Sequence, residues 1–161
     1  MKKLFFTLVL ALMAFVSNSF AQNLTSYSWA SGIGFGLPEG MEIKTNTNDK
    51  FVATNNDDFA FSIVPVEFEK VKGRQLGKFV AELAFDNMGM DSTEGNYTIE
   101  EIQVTNGAGV YILGVDGDGT LCISAVFLSS VSNKGCFIFE AFSEEHAEEA
   151  GMVMGSVNFT E

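Results

Sequence analysis

The residues that could do chemistry are few, and their spacing does not assemble a catalytic set. His146 is the only histidine of the chain, and a general base or a metal ligand of this type needs a partner that the sequence does not place beside it. The chain also lacks a Gly-x-Ser-x-Gly elbow, which would present a nucleophilic serine. We therefore expect a protein that is not an enzyme and has no cofactor, and we interpret His146 as a residue at the edge of a helix.

Two patterns could bind metal ions, and each has a simpler structural interpretation. The segment Asp116–Gly119 begins like a calcium loop, but Leu121 and Phe127 stand where such a loop needs Gly and Glu. We interpret this segment as a hairpin turn. Two Met-x-Met pairs begin at Met88 and Met152, and their thioethers favour Cu(I), although methionine is also a common filler of core gaps. A calcium-, copper- or small-ligand-binding module stays as the alternative function.

Residues 1–21 have the pattern of an export signal. Two lysines precede an apolar run over residues 4–16, and small residues follow at Ser19 and Ala21, where a signal peptidase needs them. The run of about 13 residues is too short for a bilayer span of about 20. We predict cleavage after Ala21 and a mature protein without a membrane span, which is either periplasmic or secreted.

The mature chain, residues 22–161, has the size of a single domain. It contains seven basic and 21 acidic residues, which gives a net charge of −14. So negative a protein repels phosphate backbones and anionic lipid surfaces, which argues against nucleic acid as a partner.

The two cysteines of this exported chain are predicted to be free. Cys122 and Cys136 lie on consecutive predicted strands joined by the turn-rich segment 129–135. If Cys136 lies near Leu128, the two cysteines are about 20 Å apart, beyond the roughly 7 Å limit between Cα atoms for a disulfide. We expect two small buried thiols, and a different strand register would allow the bridge.

The hydrophobic pattern predicts an α+β protein. The later strands are apolar on both faces, which requires a sheet covered on both sides. Pro65 indicates an edge or bulge position in its strand, and Gly32, Gly34 and Gly36 indicate a bulge or close approach by another backbone. The predicted strands cover 33–37, 41–44, 51–54, 59–68, 97–105, 109–116, 119–128, 136–142 and 156–159, after a polar lead-in at 22–31; the predicted helices cover 74–90 and a segment that begins after Ser143.

The first predicted helix has a second, exposed apolar face. With Leu76 at the centre of the buried stripe, Ala81, Phe85 and Met88 lie about 120° to 180° away from it on a helical wheel. Exposed Phe and Met side chains that lie together are typical of a partner-binding surface. The alternative is that the lead-in segment or a loop covers these side chains.

Two segments resemble a known family. Gly34-Phe35-Gly36-Leu37-Pro38-Glu39-Gly40-Met41 resembles the opening turn of the PsbP-like superfamily, which includes the Ran-binding nuclear import factors and the DcrB-type bacterial envelope proteins. Met41 stands where those sequences usually carry Trp. The closing segment, from Glu148 to Phe159, is similar to their last helix and strand. The resemblance implies an α/β/α sandwich and a non-enzymatic role, typically the binding of another protein.

These observations lead to one prediction of fold and function. We expect a single α+β domain whose mixed or antiparallel sheet is flanked by helices, an α/β/α sandwich of the PsbP-like type. We expect an exported accessory protein that binds another envelope or secreted protein, with Ala81, Phe85 and Met88 as the candidate partner surface. The identity of the partner and the oligomeric state stay open.

Overall fold

The structure, a computed structural model, describes residues 24–29, 32–55, 58–67, 71 and 75–160. The predicted export signal lies outside these residues. Within them, no helix combines the length and the apolar character needed to span a membrane.

Ten strands and two α-helices make up the described chain. The strands are β1 (Leu24–Trp29), β2 (Ile33–Pro38), β3 (Glu42–Asn46), β4 (Phe51–Asn55), β5 (Phe59–Glu67), β6 (Tyr97–Val104), β7 (Gly107–Val115), β8 (Leu121–Ser129), β9 (Lys134–Phe142) and β10 (Asn158–Phe159). The helices are α1 (Leu76–Glu82), continued by a π-helical turn (Leu83–Asn87), and α2 (Ala147–Ser156), preceded by a 3₁₀ turn (Glu144–His146).

Seven of the strands form one large sheet in the order β3-β4-β5-β9-β8-β7-β6, and the other three form a small sheet in the order β1-β2-β10. Every pairing between these strands is antiparallel, so the mixed sheet that the sequence left open does not occur. The predicted α+β class with a covered central sheet is confirmed.

The first core lies between the large sheet and a layer made of the small sheet and α2. Aromatic rings dominate it: Phe35 of β2 lies 5.1 Å from Phe51 and 5.0 Å from Phe61 between ring centroids. Such tilted and edge-to-face pairs stabilise a core beyond the area they bury. Gly36 allows the layer to close tightly, because a Cβ there would lie 2.9 Å from Leu24 Cβ. A Cβ on Gly34 would lie 2.4 Å from Asn158 Oδ1. The atoms that approach these two strand glycines most closely thus belong to side chains and not, as the sequence predicted, to another backbone.

The second core covers the opposite face of the large sheet, under α1 and its π-helical turn. Val80 and Ala84 are fully buried there against Ile112 and Val126 of the sheet. The two cysteines belong to different cores, Cys122 to the second and Cys136 to the first. Since they lie on opposite faces of the sheet, no disulfide can join them, and the prediction of free buried thiols is confirmed.

Several boundaries differ from the prediction. Residues 24–29, expected as a polar lead-in, form β1, and Tyr27 stacks on Phe35 at 5.8 Å. β1 therefore lies in the first core and does not cover α1. The alternative for the partner surface, in which this segment covers the exposed side chains of the first helix, is wrong for residues 24–29. Pro65 lies beyond the part of β5 that pairs with β4, since that pairing ends at Ile63. β5 is a local edge strand at this point, and an edge position tolerates a proline, which has no backbone N–H to donate.

Candidate functional site

His146 has a structural environment. Its Nδ1 pairs with Glu149 Oε2 one turn later, and its ring stacks on Phe59 with the centroids 6.0 Å apart. The histidine thus fixes the start of α2 against the sheet. No group of three or more His, Cys, Asp or Glu side chains that could hold a metal ion occurs in the described part of the chain.

The two metal-binding patterns are also engaged in structure. Asp116 Oδ1 accepts the backbone N–H groups of Asp118 and Thr120 at 3.0 and 2.8 Å, so this carboxylate closes the turn between β7 and β8, as its interpretation as a hairpin turn predicts. Met90 is buried in the second core and Met154 in the first. The two Met-x-Met pairs therefore each have one side chain buried in a core, and these two side chains lie on opposite faces of the large sheet.

The π-helical turn rearranges the predicted partner surface. The N–H of Met88 donates to Leu83 O at 3.2 Å, a bond that spans five residues and widens the helix. A wheel drawn at 100° per residue no longer applies beyond residue 83. Phe85 accordingly turns toward β6, where its ring meets Tyr97 edge-to-face at 4.9 Å. Ala81 and Phe85 are half-buried against the second core, and Met88 is 36% exposed.

The strand that meets Phe85 carries a further exposed apolar side chain. Ile99 follows Tyr97 on the same face of β6 and is 44% exposed. It lies beside the start of α1, since a Cβ on Gly77 would lie 3.7 Å from Ile99 Cγ2. We call Ala81, Phe85, Met88 and Ile99 the helix-edge surface. Sequence reasoning missed Ile99, because the hydrophobic pattern of a strand does not show whether it lies at the edge of its sheet.

The other face of β6 borders a groove beneath α2. The groove measures about 180 Å³. Tyr111 donates its hydroxyl hydrogen to Glu100 Oε2 at 2.9 Å, and burial, reinforced by this acceptor and its charge, raises the pKa of Tyr111 well above its usual range. The groove is lined by Glu100, Glu101, Ile102, Tyr111, Ile123, Gly151 and Met154.

A buried acid lies close to this groove. Glu140 of β9 is fully buried, and it pairs across the sheet with Ile123, which lines the groove, and with Phe61. Neither of its carboxyl oxygens has a hydrogen-bond partner among the described residues. Burial raises the pKa of Glu140 well above its ordinary value of 4.5, because the charged form would lose its hydration without gaining a counter-charge. Burial therefore favours the protonated, uncharged form of Glu140 in the folded protein.

Comparison with solved structures identifies the fold. The Ran-binding protein Mog1p of Saccharomyces cerevisiae superposes with a TM-score of 0.55 at 10% identity, over 85% of this chain and 95% of that one. PsbP of Synechocystis sp. PCC 6803 superposes with a TM-score of 0.50 at 13% identity, over 91% of this chain and 99% of that one. The fold is thus PsbP-like, and the resemblance to the PsbP-like superfamily is confirmed at the level of the fold.

A bacterial structure is similar over only part of its length. A protein from Bacteroides thetaiotaomicron superposes with a TM-score of 0.51 at 13% identity, over 87% of this chain. This chain spans half the length of that protein. No family model matches the sequence, and no curated protein matches it significantly.

Proposed function

We propose that this chain is an exported, non-catalytic accessory protein that binds another envelope or secreted protein through the helix-edge surface. The observation that carries the proposal is the exposure of Met88 and Ile99 on either side of the contact between Phe85 and Tyr97. Exposed apolar side chains that flank a packed aromatic pair are typical of interaction sites.

The fold and the charge support the same proposal. A solved structure with this fold is a Ran-binding protein, so the fold can present a protein-binding surface. The net charge of −12 over the whole chain disfavours nucleic acid and anionic lipid as partners. The calcium alternative is less favoured, since the best-placed carboxylate, Asp116, already accepts two backbone N–H groups.

The export step is tested first. The full 161-residue chain is produced in a bacterial host, and the exported product is analysed by intact mass and N-terminal sequencing. We expect a chain that begins at Gln22. A product that keeps residues 1–21, or that stays inside the cell, would contradict export.

The binding surface is tested next, by a crosslinking pull-down with the exported protein against envelope and secreted fractions. The double substitution of Met88→Ser with Ile99→Ser removes both exposed apolar side chains. Val131→Ser is the matched control, because Val131 is 42% exposed in the turn between β8 and β9. We expect one or two stoichiometric partners, lost by the double variant and retained by the control. The proposed surface is refuted if the folded wild-type protein captures no partner, or if wild type, double variant and control capture the partner equally.

A further inference from the structure

β6 has an unpaired outer edge. It is the terminal strand of the large sheet and pairs only with β7 among the described strands. Val104, the last residue of β6, pairs with Gly107 across a two-residue turn, so the backbone N–H and C=O of Val104 face β7. Backbone direction alternates along a strand. The N–H and C=O groups of Ile99, Glu101 and Gln103 therefore point away from β7. Just beyond the strand, Thr105 accepts the N–H of Phe159, so β10 contacts the chain there.

The opposite edge of the same sheet is protected, and β6 is not. β3 has only five residues, and its pairing with β4 is interrupted by a register shift between Ile43 and Thr45. An exposed ion pair of Lys44 and Glu42 covers that edge, with 2.6 Å between the charged atoms. Short length, bulges and lysines are the common defences of edge strands against pairing. β6 has eight residues and an uninterrupted register, and it contains no lysine or proline. Its charged residues are Glu100 and Glu101, which disfavour pairing with an acidic strand and favour a basic one.

The groove under α2 opens beside this edge and is acidic. Glu100 and Glu101 both line it, but side chains alternate along β6, so the carboxylate on the groove face is that of Glu100, which accepts a hydrogen bond from the hydroxyl of Tyr111. None of the described lysines, which are Lys44, Lys50, Lys78 and Lys134, lines it. Its volume is about 180 Å³. That space is smaller than pockets for drug-sized ligands, which begin near 300 Å³, and it suits one long side chain.

We propose that the edge of β6 accepts an extended segment of the partner protein as an added strand, with a lysine or arginine side chain of that segment in the groove beside Glu100. This inference rests on the proposed role in protein binding, not on the helix-edge surface, and it specifies how the partner binds. Strand addition obtains affinity from main-chain hydrogen bonds and specificity from pockets for alternate side chains. Here the main-chain partners are the outward-facing groups of Ile99, Glu101 and Gln103.

Both faces of the added strand have a matching environment. Side chains on the groove face meet the carboxylate of Glu100, while the apolar surfaces of Ile102 and Met154 can cover the methylene stem of a long basic side chain. Side chains on the opposite face lie beside Ile99 and the start of α1. The segment should therefore alternate a basic residue with apolar or β-branched ones. Charge complementarity favours a separate basic partner over a second copy of this acidic chain.

The test first selects peptides that bind the protein and then determines which backbone amides they contact. A random library of nine-residue peptides on phage is selected against the purified protein, and an enriched peptide is synthesised for titration by NMR against isotope-labelled protein. We expect enriched peptides with Lys or Arg at one position, and shifted backbone amides at Ile99, Glu101 and Gln103. Replacing that basic residue by Glu, or methylating the peptide's alternate backbone nitrogens, should each weaken binding at least about tenfold.

Protein variants separate the groove from general electrostatics. Glu100→Gln should weaken the basic peptide several-fold, whereas Glu148→Gln, which removes an exposed carboxylate of α2 outside the groove, should not. The inference would be overturned if the library yields no binder, or if the enriched peptides lack a basic residue. It would also be overturned if N-methylation of the peptide leaves binding unchanged, or if the shifted amides lie only in other strands. So would self-association of the protein through the β6 amides.

The same variants distinguish this inference from the proposed function. Gln103→Pro removes an outward-facing N–H and is compatible with an edge position. If the pull-down partner is lost in the helix-edge double variant but binds Gln103→Pro and Glu100→Gln as well as wild type, the function stands and strand addition is wrong. If the pull-down is empty while a basic peptide binds β6 as described, the helix-edge proposal fails and the strand-addition site stands.

Discussion

Replacing Glu140 by glutamine should change how the stability of the protein depends on pH. In the wild type, a fully buried carboxyl group lies between Ile123 and Phe61 with no hydrogen-bond partner among the described residues. An unpaired buried charge is among the most costly features of a protein interior. The folded state therefore keeps the proton on Glu140, and its pKa lies well above the ordinary value of 4.5.

The direction of the effect follows from proton binding in the two states. At a pH below about 4.5, Glu140 is protonated in both the folded and the unfolded chain and contributes no difference. Above that pH the unfolded chain releases the proton and the folded chain retains it. The free energy of unfolding then falls by about 1.4 kcal/mol per pH unit, until the pH reaches the raised pKa of the folded state.

The assay is urea unfolding at a series of pH values from about 4.5 to about 8. Wild type and Glu140→Gln share every other titrating group, so the difference between their unfolding free energies isolates Glu140. We expect the two proteins to differ least near pH 4.5, and we expect the variant to gain about 1.4 kcal/mol relative to wild type for each unit above it, until the difference levels off at the raised pKa of Glu140 in the folded state. Glu148→Gln, an exposed position on α2, controls for the change in net charge.

One outcome would refute this reasoning. If the difference between wild type and Glu140→Gln is constant across the series, Glu140 has the same proton affinity in both states and cannot lie uncharged in the core. Glu140→Met offers a second check, because it places an apolar side chain of similar volume at this position. That variant should be more stable than wild type near neutral pH.

Three further predictions concern packing and thiols. Gly109→Ala should lower the free energy of unfolding by about 1–3 kcal/mol, because its Cβ would lie 2.4 Å from Val126 O on the neighbouring strand, whereas Gly117→Ala, with nothing within 4 Å, should be nearly neutral in the same urea titration. A thiol reagent should label neither cysteine in the folded protein and both after unfolding, since burial raises the pKa of Cys122 to about 12 and that of Cys136 further; rapid labelling of the native protein would contradict their placement. Phe85→Ser should lower stability by about 1–3 kcal/mol, because its ring packs on Tyr97, and unchanged thermal unfolding would place this ring in solvent.

The sequence predicts most of the elements but not the surface they create. Hydrophobic alternation and turn residues locate nine of the ten strands, because these signals are local. β1 is missed because its side chains are mostly polar and exposed, and it is a strand only through its pairing with β2. The mixed sheet is likewise excluded only by the direction of the strand pairings, and some of these, such as β5 with β9, join residues far apart in the chain.

The candidate site shows the same limit. The helical wheel places Phe85 opposite the buried stripe, and the π-helical turn changes that direction by adding a residue to the turn. The edge position of β6 and the groove beneath α2 depend on which strands meet, so no local pattern of residues 97–104 could indicate them. Glu140 lies in a strongly apolar strand, which indicates burial, but only the structure shows that its carboxyl group has no described partner.

The pairing of β10 with β2 has a consequence for the order of folding. It joins Phe159 to Ile33 and Asn158 to Gly34, residues from opposite ends of the described chain. Contacts between such distant residues are slow to form, because the intervening chain must first lose much of its entropy. The hairpins from β6 to β9 and the hairpin of β1 with β2 can assemble from neighbouring residues, whereas β10 completes the small sheet only through these distant contacts. We therefore expect the cover of the first core to close late in folding, after the hairpins of the large sheet have formed.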